Sequence, residues 1–181
     1  MRQSENPLYS AETIAFFKAV NLFCSAIENS QDKSKKVFVK DLMLSLSSLY
    51  TAALTLPEFM DDFMEDELET YVTEELYMAV EEIVKQKLGT DDNYLTTQCA
   101  EMKYSDTPVL HNISEDVADI YQAVCDALKR LQSEQEQIMT AAMVECVASF
   151  KEYWGLNCVR ALEALHTLAY SSQEEDEEED F

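Results

Sequence analysis

Only two glycines, Gly89 and Gly155, and three prolines, Pro7, Pro57 and Pro108, punctuate the 181 residues. A fold of short strands and tight turns needs far more residues that tolerate positive φ or preset a turn. The chain must therefore run in long helices with few breaks. The same scarcity removes glycine-rich phosphate loops, whose backbone has to approach the ligand closely at several positive-φ positions. Neither dinucleotide-binding nor P-loop chemistry is available. With 47% hydrophobic residues and 10% aromatics, a chain of this length can bury one sizeable core.

Apolar spacing places the helices. Ser10 is a candidate cap for a first helix carrying Ile14, Phe17, Val20, Cys24 and Ile27. A second starts near Ser34, carries Phe38, Leu42, Leu46, Leu49 and Ala53, and must stop before Pro57. Thr73 opens a third, with Glu74 and Glu75 in its electropositive first turn and Gly89 at its end. Residues 90–113 lack sustained periodicity, so they read as a long connection, a functional lid by position, with a short helix at Tyr94 to Met102. Ser114 then caps a helix whose Val117, Ile120, Tyr121, Val124, Leu128 and Leu131 form one stripe. Ser133 and Glu136 have capping-box spacing for a helix to Trp154, and a last helix follows Gly155. The expected architecture is an all-α, compact antiparallel bundle of six or seven helices. It forms one domain over residues 1–172, followed by a disordered acidic tail over 173–181.

The net charge is −23, and Glu174 to Asp180 are seven consecutive acids. Without them 29 acids still face 13 bases, so the body itself is strongly acidic. Such a field repels nucleic acid and anionic membranes and favours a basic protein partner, although acidic surfaces also serve solubility alone. The start lacks a basic-then-apolar leader pattern, and no uncharged run of membrane-spanning length follows, which predicts a cytoplasmic protein. Five cysteines, never spaced C-x-x-C, read as reduced core residues.

The stretch "SEDVADIY" at 114–121 sets Glu115, Asp116 and Asp119 beside the apolar stripe of its helix. Their spacing approximates the D-D-x-x-D arrangement that gathers Mg²⁺ or Mn²⁺ for phosphorylated substrates, and Asp61, Asp62 and Glu65 offer a second cluster. First-turn acids are equally what the helix dipole favours, and at 100° per residue these carboxylates fall outside the apolar arc, with Asp116 at its rim. Glu163 and His166 have the E-x-x-H spacing of bundle di-metal sites, but His111 is the sole other histidine and no second copy exists. Cys158 stands two turns from His166, about 12 Å along the axis, too far to couple. Trp154, with Phe150 and Tyr153, reads as a wedge between the last two helices. Exposed, it would instead anchor a partner.

Three segments, "ENPLYS" at 5–10, "SEDVADIYQAV" at 114–124 and "FKEYWGLNCVRALEALH" at 150–166, together resemble the bacterial family of unassigned function named DUF5063. The resemblance implies a helical protein and brings no activity with it. It also implies arginine as the common residue where Glu163 stands, which weakens the E-x-x-H reading. It draws Glu115, Asp116, Asp119, Tyr121, Trp154, Gly155, Arg160 and His166 into one cluster, with Arg160 or His166 pairing to Asp116 or Asp119.

Charge and missing catalytic equipment make a non-enzymatic interaction or accessory module, without a cofactor, the leading expectation. A Mg²⁺- or Mn²⁺-dependent hydrolase using Asp116 and Asp119, and a nucleic-acid mimic, are the alternatives. Met60, Phe63, Met64 and Tyr71 could leave an apolar patch through which a homodimer forms.

Overall fold

The computed structural model describes residues 6–60, 68–133 and 135–171. Helix α1 (Ala11–Glu28) begins where Ser10 accepts a hydrogen bond from the Thr13 amide, and α2 (Lys35–Leu54) where Ser34 accepts from Val37. Helix α3 (Glu74–Leu88) is opened by Thr73 and closed by Gly89, whose φ of 63° suits a residue without Cβ and whose N–H reaches the Lys85 carbonyl. These three starts and stops match the sequence reading.

The connection after α3 does not. Where a short helix was expected, strand β1 (Asn93–Thr96) pairs antiparallel with β2 (Val109–Asn112), in a register that sets Tyr94 opposite His111 and Leu95 opposite Leu110. A short 3₁₀ turn at Ala100–Tyr104 lies between them. The all-α expectation holds for the body, with this two-stranded sheet added.

Helix α4 (Ile113–Arg130) starts one residue before Ser114, which is not its cap. Asp92, from the start of the preceding connection, takes the cap's place. Its Oδ1 accepts from the Ser114 amide at 2.8 Å and its Oδ2 from the Ser114 hydroxyl at 2.7 Å. Helix α5 (Glu136–Ser149) likewise forms without the expected capping box, because the Ser133 hydroxyl donates to the Gln135 carbonyl instead.

The expected break at Gly155 is absent. Helix α5 passes through a π turn at Phe150–Trp154 directly into α6 (Gly155–Ser171), so the helices form five rods rather than six or seven. The π turn brings the Phe150 carbonyl so near that a Cβ on residue 155 would lie 2.4 Å from its oxygen and 2.8 Å from the Phe150 ring. Gly155 is there for close approach, not to end a helix.

Helix α4 is central, touching α1, α3, α5 and α6, while α2 packs on α1 and α6. Phe16, Phe23, Leu42, Leu46, Val117, Ile120 and Trp154 fill the shared core. Helix α2 has the length and hydropathy of a membrane span; one face, Phe38, Leu42, Leu46 and Leu49, is wholly buried in that core, while Val37, Leu44 and Leu54 are exposed. Tyr50 of α2 meets Phe150 edge-on, so the antiparallel α6 brings its C-terminus back toward the start of α2. All five cysteines are free thiols, four of them buried.

Candidate functional site

Two helix faces meet where the stripe on α4 turns polar. Asp116 and Asp119 lie one turn apart, and on the opposing rod Tyr153, Asn157 and Arg160 recur at four and three residues, so each set occupies one face. Arg160 Nη2 donates to Asp116 Oδ1 at 2.6 Å and to Asn157 Oδ1 at 2.8 Å, and Nη1 reaches the Gln98 carbonyl at 3.2 Å. The Tyr94 hydroxyl, from β1, donates to Asp116 Oδ2. Asn157 Nδ2 and the Tyr153 hydroxyl donate to Asp119 Oδ2 at 3.0 and 2.5 Å, and the Tyr77 hydroxyl of α3 donates to Oδ1 at 2.9 Å. One network thereby ties α3, α4, α6 and the hairpin together.

The pair at its centre is deeply placed, with Asp116 2% and Arg160 8% exposed. Burial pushes the Asp116 carboxyl above its ordinary value, against the hydrogen bonds from Tyr94 and Arg160. Burial also works against the Arg160 charge, but the bond and charge of Asp116 carry its pKa upward overall. Both shifts point the same way, which for the acid is a penalty and for the base a gain. The contact geometry is that of an ionised pair. Burial, then hydrogen bonding to the carboxylates, raises the Tyr77 and Tyr94 hydroxyls and pushes Tyr153 up to about 12, so all three are donors at neutral pH. Arg160 Nε is buried without a hydrogen-bond partner among the described residues. Cys158 lies nearby, its thiol pushed up by burial and then by the Asp116 charge, which leaves it a poor nucleophile.

The sequence reading placed these carboxylates outside the apolar arc, free for solvent or cation. The structure turns Asp116 and Asp119 inward to protein donors. Among the described residues no three His, Cys, Asp or Glu side chains gather as a metal-binding group. Asp61, Asp62 and Glu65 lie outside the described residues, as do Phe63, Met64 and the acidic tail.

Other members of the expected cluster disperse. Glu115 is exposed, Tyr121 donates to Glu28 of α1 at 2.7 Å, and the ring of exposed His166 lies tilted against Tyr170, 4.7 Å between centroids. Arg160 therefore pairs with Asp116, while Asp119 accepts from Tyr77, Tyr153 and Asn157. Trp154 is fully buried, 4.6 Å from the Phe150 ring, and its indole N–H donates to the Cys146 carbonyl at 3.0 Å, so it is no exposed anchor. Sequence reasoning gave no role to Asn157 or Tyr77 and read Tyr153 only as part of an aromatic wedge. The available signal was the polar face made by 153, 157 and 160.

Five helical rods clamping a β-hairpin over a buried, tyrosine-rimmed ion pair define a small helical-bundle protein. The chain belongs to the DUF5063 family, a domain of unknown function whose pattern matches residues 7–171. It is similar to protein BF1032 from Bacteroides fragilis, known from a crystal structure determined as a Northeast Structural Genomics Consortium target. The two share 29% identity and a TM-score of 0.80, over 92% of this chain and 97% of that one. No curated protein matches.

Proposed function

We propose that the protein is a non-enzymatic cytoplasmic binding module whose acidic surface engages a basic protein partner. The observation that carries this reading is the closure of the buried network. Asp116 and Asp119 together accept from five donors, Arg160, Tyr94, Tyr77, Tyr153 and Asn157. A hydrolase built on these carboxylates would first have to release those donors before a cation could enter. Among the described residues acids such as Glu74, Glu75, Glu82 and Glu152 are exposed, where their charge acts on partners through long-range attraction.

The test is affinity capture from the source cell's lysate at low and moderate salt, using the full chain and a version ending at Ser172. The reading expects a stoichiometric basic protein whose retention falls as salt rises or the tail is removed. Capture of no basic protein, together with a rise in melting temperature on adding Mg²⁺ or Mn²⁺ that Asp116→Asn abolishes, would overturn it in favour of the hydrolase.

A further inference from the structure

A groove of about 320 Å³ opens between the hairpin and the C-terminal half of α6. Ile113, Ala164, Leu168 and the exposed Leu95 give its lining an apolar part, and Asp91 and Glu163 line it as well. Asp91 is bridged by Lys35, whereas Glu163 has no cationic partner among the described residues. Leu95 is 68% exposed and Leu110, its partner across the strands, 62%. Cross-strand partners share a face, so the groove continues into an outward apolar pair that the fold leaves uncovered.

The second half of the argument is where α6 ends. Leu168, in the groove lining, stands three residues before Ser171, about 4.5 Å along the helix. The run of seven acids from Glu174 to Asp180 begins three residues after Ser171. At about 3.3–3.6 Å per residue, the first acid of the run is joined to Ser171 by at most about 10–11 Å of chain. A groove with apolar lining residues, a carboxylate that lacks a cationic partner among the described residues and a run of acids a few residues further along the chain complement an apolar side chain set among lysines or arginines.

Resting on the basic-partner reading above, we infer that this groove and the Leu95–Leu110 pair form the docking surface, and that its occupant is a basic segment of the partner presenting an apolar anchor. The anchor fills the groove and sets residence time. The tail supplies charge, which sets association rate and salt sensitivity.

The test uses a fluorescent synthetic peptide with two leucines inside a run of lysines, beside a version with the leucines changed to serine and one with the lysines changed to glutamate. Binding to the full chain is followed by anisotropy across a salt series. Leu95→Asn, Leu110→Asn and Glu163→Gln, all at exposed positions, and the chain ending at Ser172 complete the set, with each variant's melting curve recorded. The expected result is binding of the leucine–lysine peptide, weakened about tenfold by Leu95→Asn or Leu110→Asn at every salt concentration. Tail removal should weaken binding mainly at low salt. Equal binding of the serine–lysine peptide, or unchanged affinity in folded Leu95→Asn and Leu110→Asn proteins, would overturn the groove. If such binding still vanished with the tail, the basic-partner reading would survive. Failure of both lysine peptides to bind would remove the two together.

Discussion

Replacing Arg160 by methionine tests whether the buried pair is an ionised unit. The substitution keeps most of the side-chain volume and removes the guanidinium from a site where side-chain exposure is 9% for Arg160 and 3% for Asp116. Asp116 would retain only the Tyr94 hydroxyl as a donor, and the Asn157 Oδ1 and the Gln98 carbonyl would each lose a bond. Breaking one side of a buried pair in this way costs about 3–5 kcal/mol, because a charge is left uncompensated in the interior. Set against a domain stability of about 5–15 kcal/mol, that is enough to bring a marginal protein to the edge of unfolding. The loss should depend on pH. A carboxyl held above its ordinary value in the folded state contributes stability that is fully present below about pH 4 and is lost as pH rises through the folded-state value. Asp116 already lies on that side, and without Arg160 burial is opposed mainly by the Tyr94 hydrogen bond. Urea titrations at pH 7.5 and pH 5 should therefore give a larger deficit at the higher pH. Adding Asp116→Asn should restore about half of the loss or more, because the uncompensated charge goes with it. A deficit below about 1 kcal/mol, or one equal at both pH values and unrelieved by Asp116→Asn, would refute an ionised pair at this position.

Gly155→Ala should lower stability by about 1–3 kcal/mol, since the new methyl would meet the Phe150 carbonyl at 2.4 Å and backbone must shift to admit it; a thermal melt no lower than the parent's would count against the π-turn packing. Asp92→Ala removes the acceptor of both the Ser114 amide and its hydroxyl and should cost about 1–3 kcal/mol, with faster hydrogen exchange concentrated in the first turn of α4. Asp126 accepts from the Tyr71 and Val72 amides at 2.8 Å each, tying the segment before α3 to α4. Asp126→Ala should lose about 1–3 kcal/mol and open that segment to limited proteolysis, detected as cleavage preceding Thr73.

Helix starts were legible wherever the capping side chain sits beside the helix it caps, as with Ser10, Ser34 and Thr73. They were illegible where the cap comes from elsewhere: nothing near Ile113 in sequence reveals that Asp92 serves α4. The hairpin failed for a related reason. Each strand is four residues long, too short for alternation to stand out, and its attachment depends on Tyr94 reaching a carboxylate 22 positions away. Gly155 misled because glycine's commonest role near a helix end is to terminate it, whereas here the Phe150 carbonyl demands the missing Cβ. Of the candidate site, Asp116 and Arg160 were drawn together by family resemblance and not by spacing. Tyr77 and Tyr94 could not have been, because they arrive from separate elements.

The hairpin and the buried network explain each other. In a strand, successive side chains alternate in direction, so the inward hydrogen bond of Tyr94 to Asp116 fixes which residues face the bundle and sends Leu95 and Leu110 outward. A slip of one residue would reverse every side chain and bury the leucines. An apolar seat made from residues the size of Asp116 and Arg160 could be as stable, since a buried ion pair often gains little over hydrophobic packing. It would, however, accept Leu95 as readily as Tyr94. A carboxylate already braced by Arg160 accepts a hydroxyl and rejects a methyl group, so the polar seat selects the register that an apolar one would leave open. The outward face proposed as the docking surface is thus held in place by a pair of charges that no ligand has to touch.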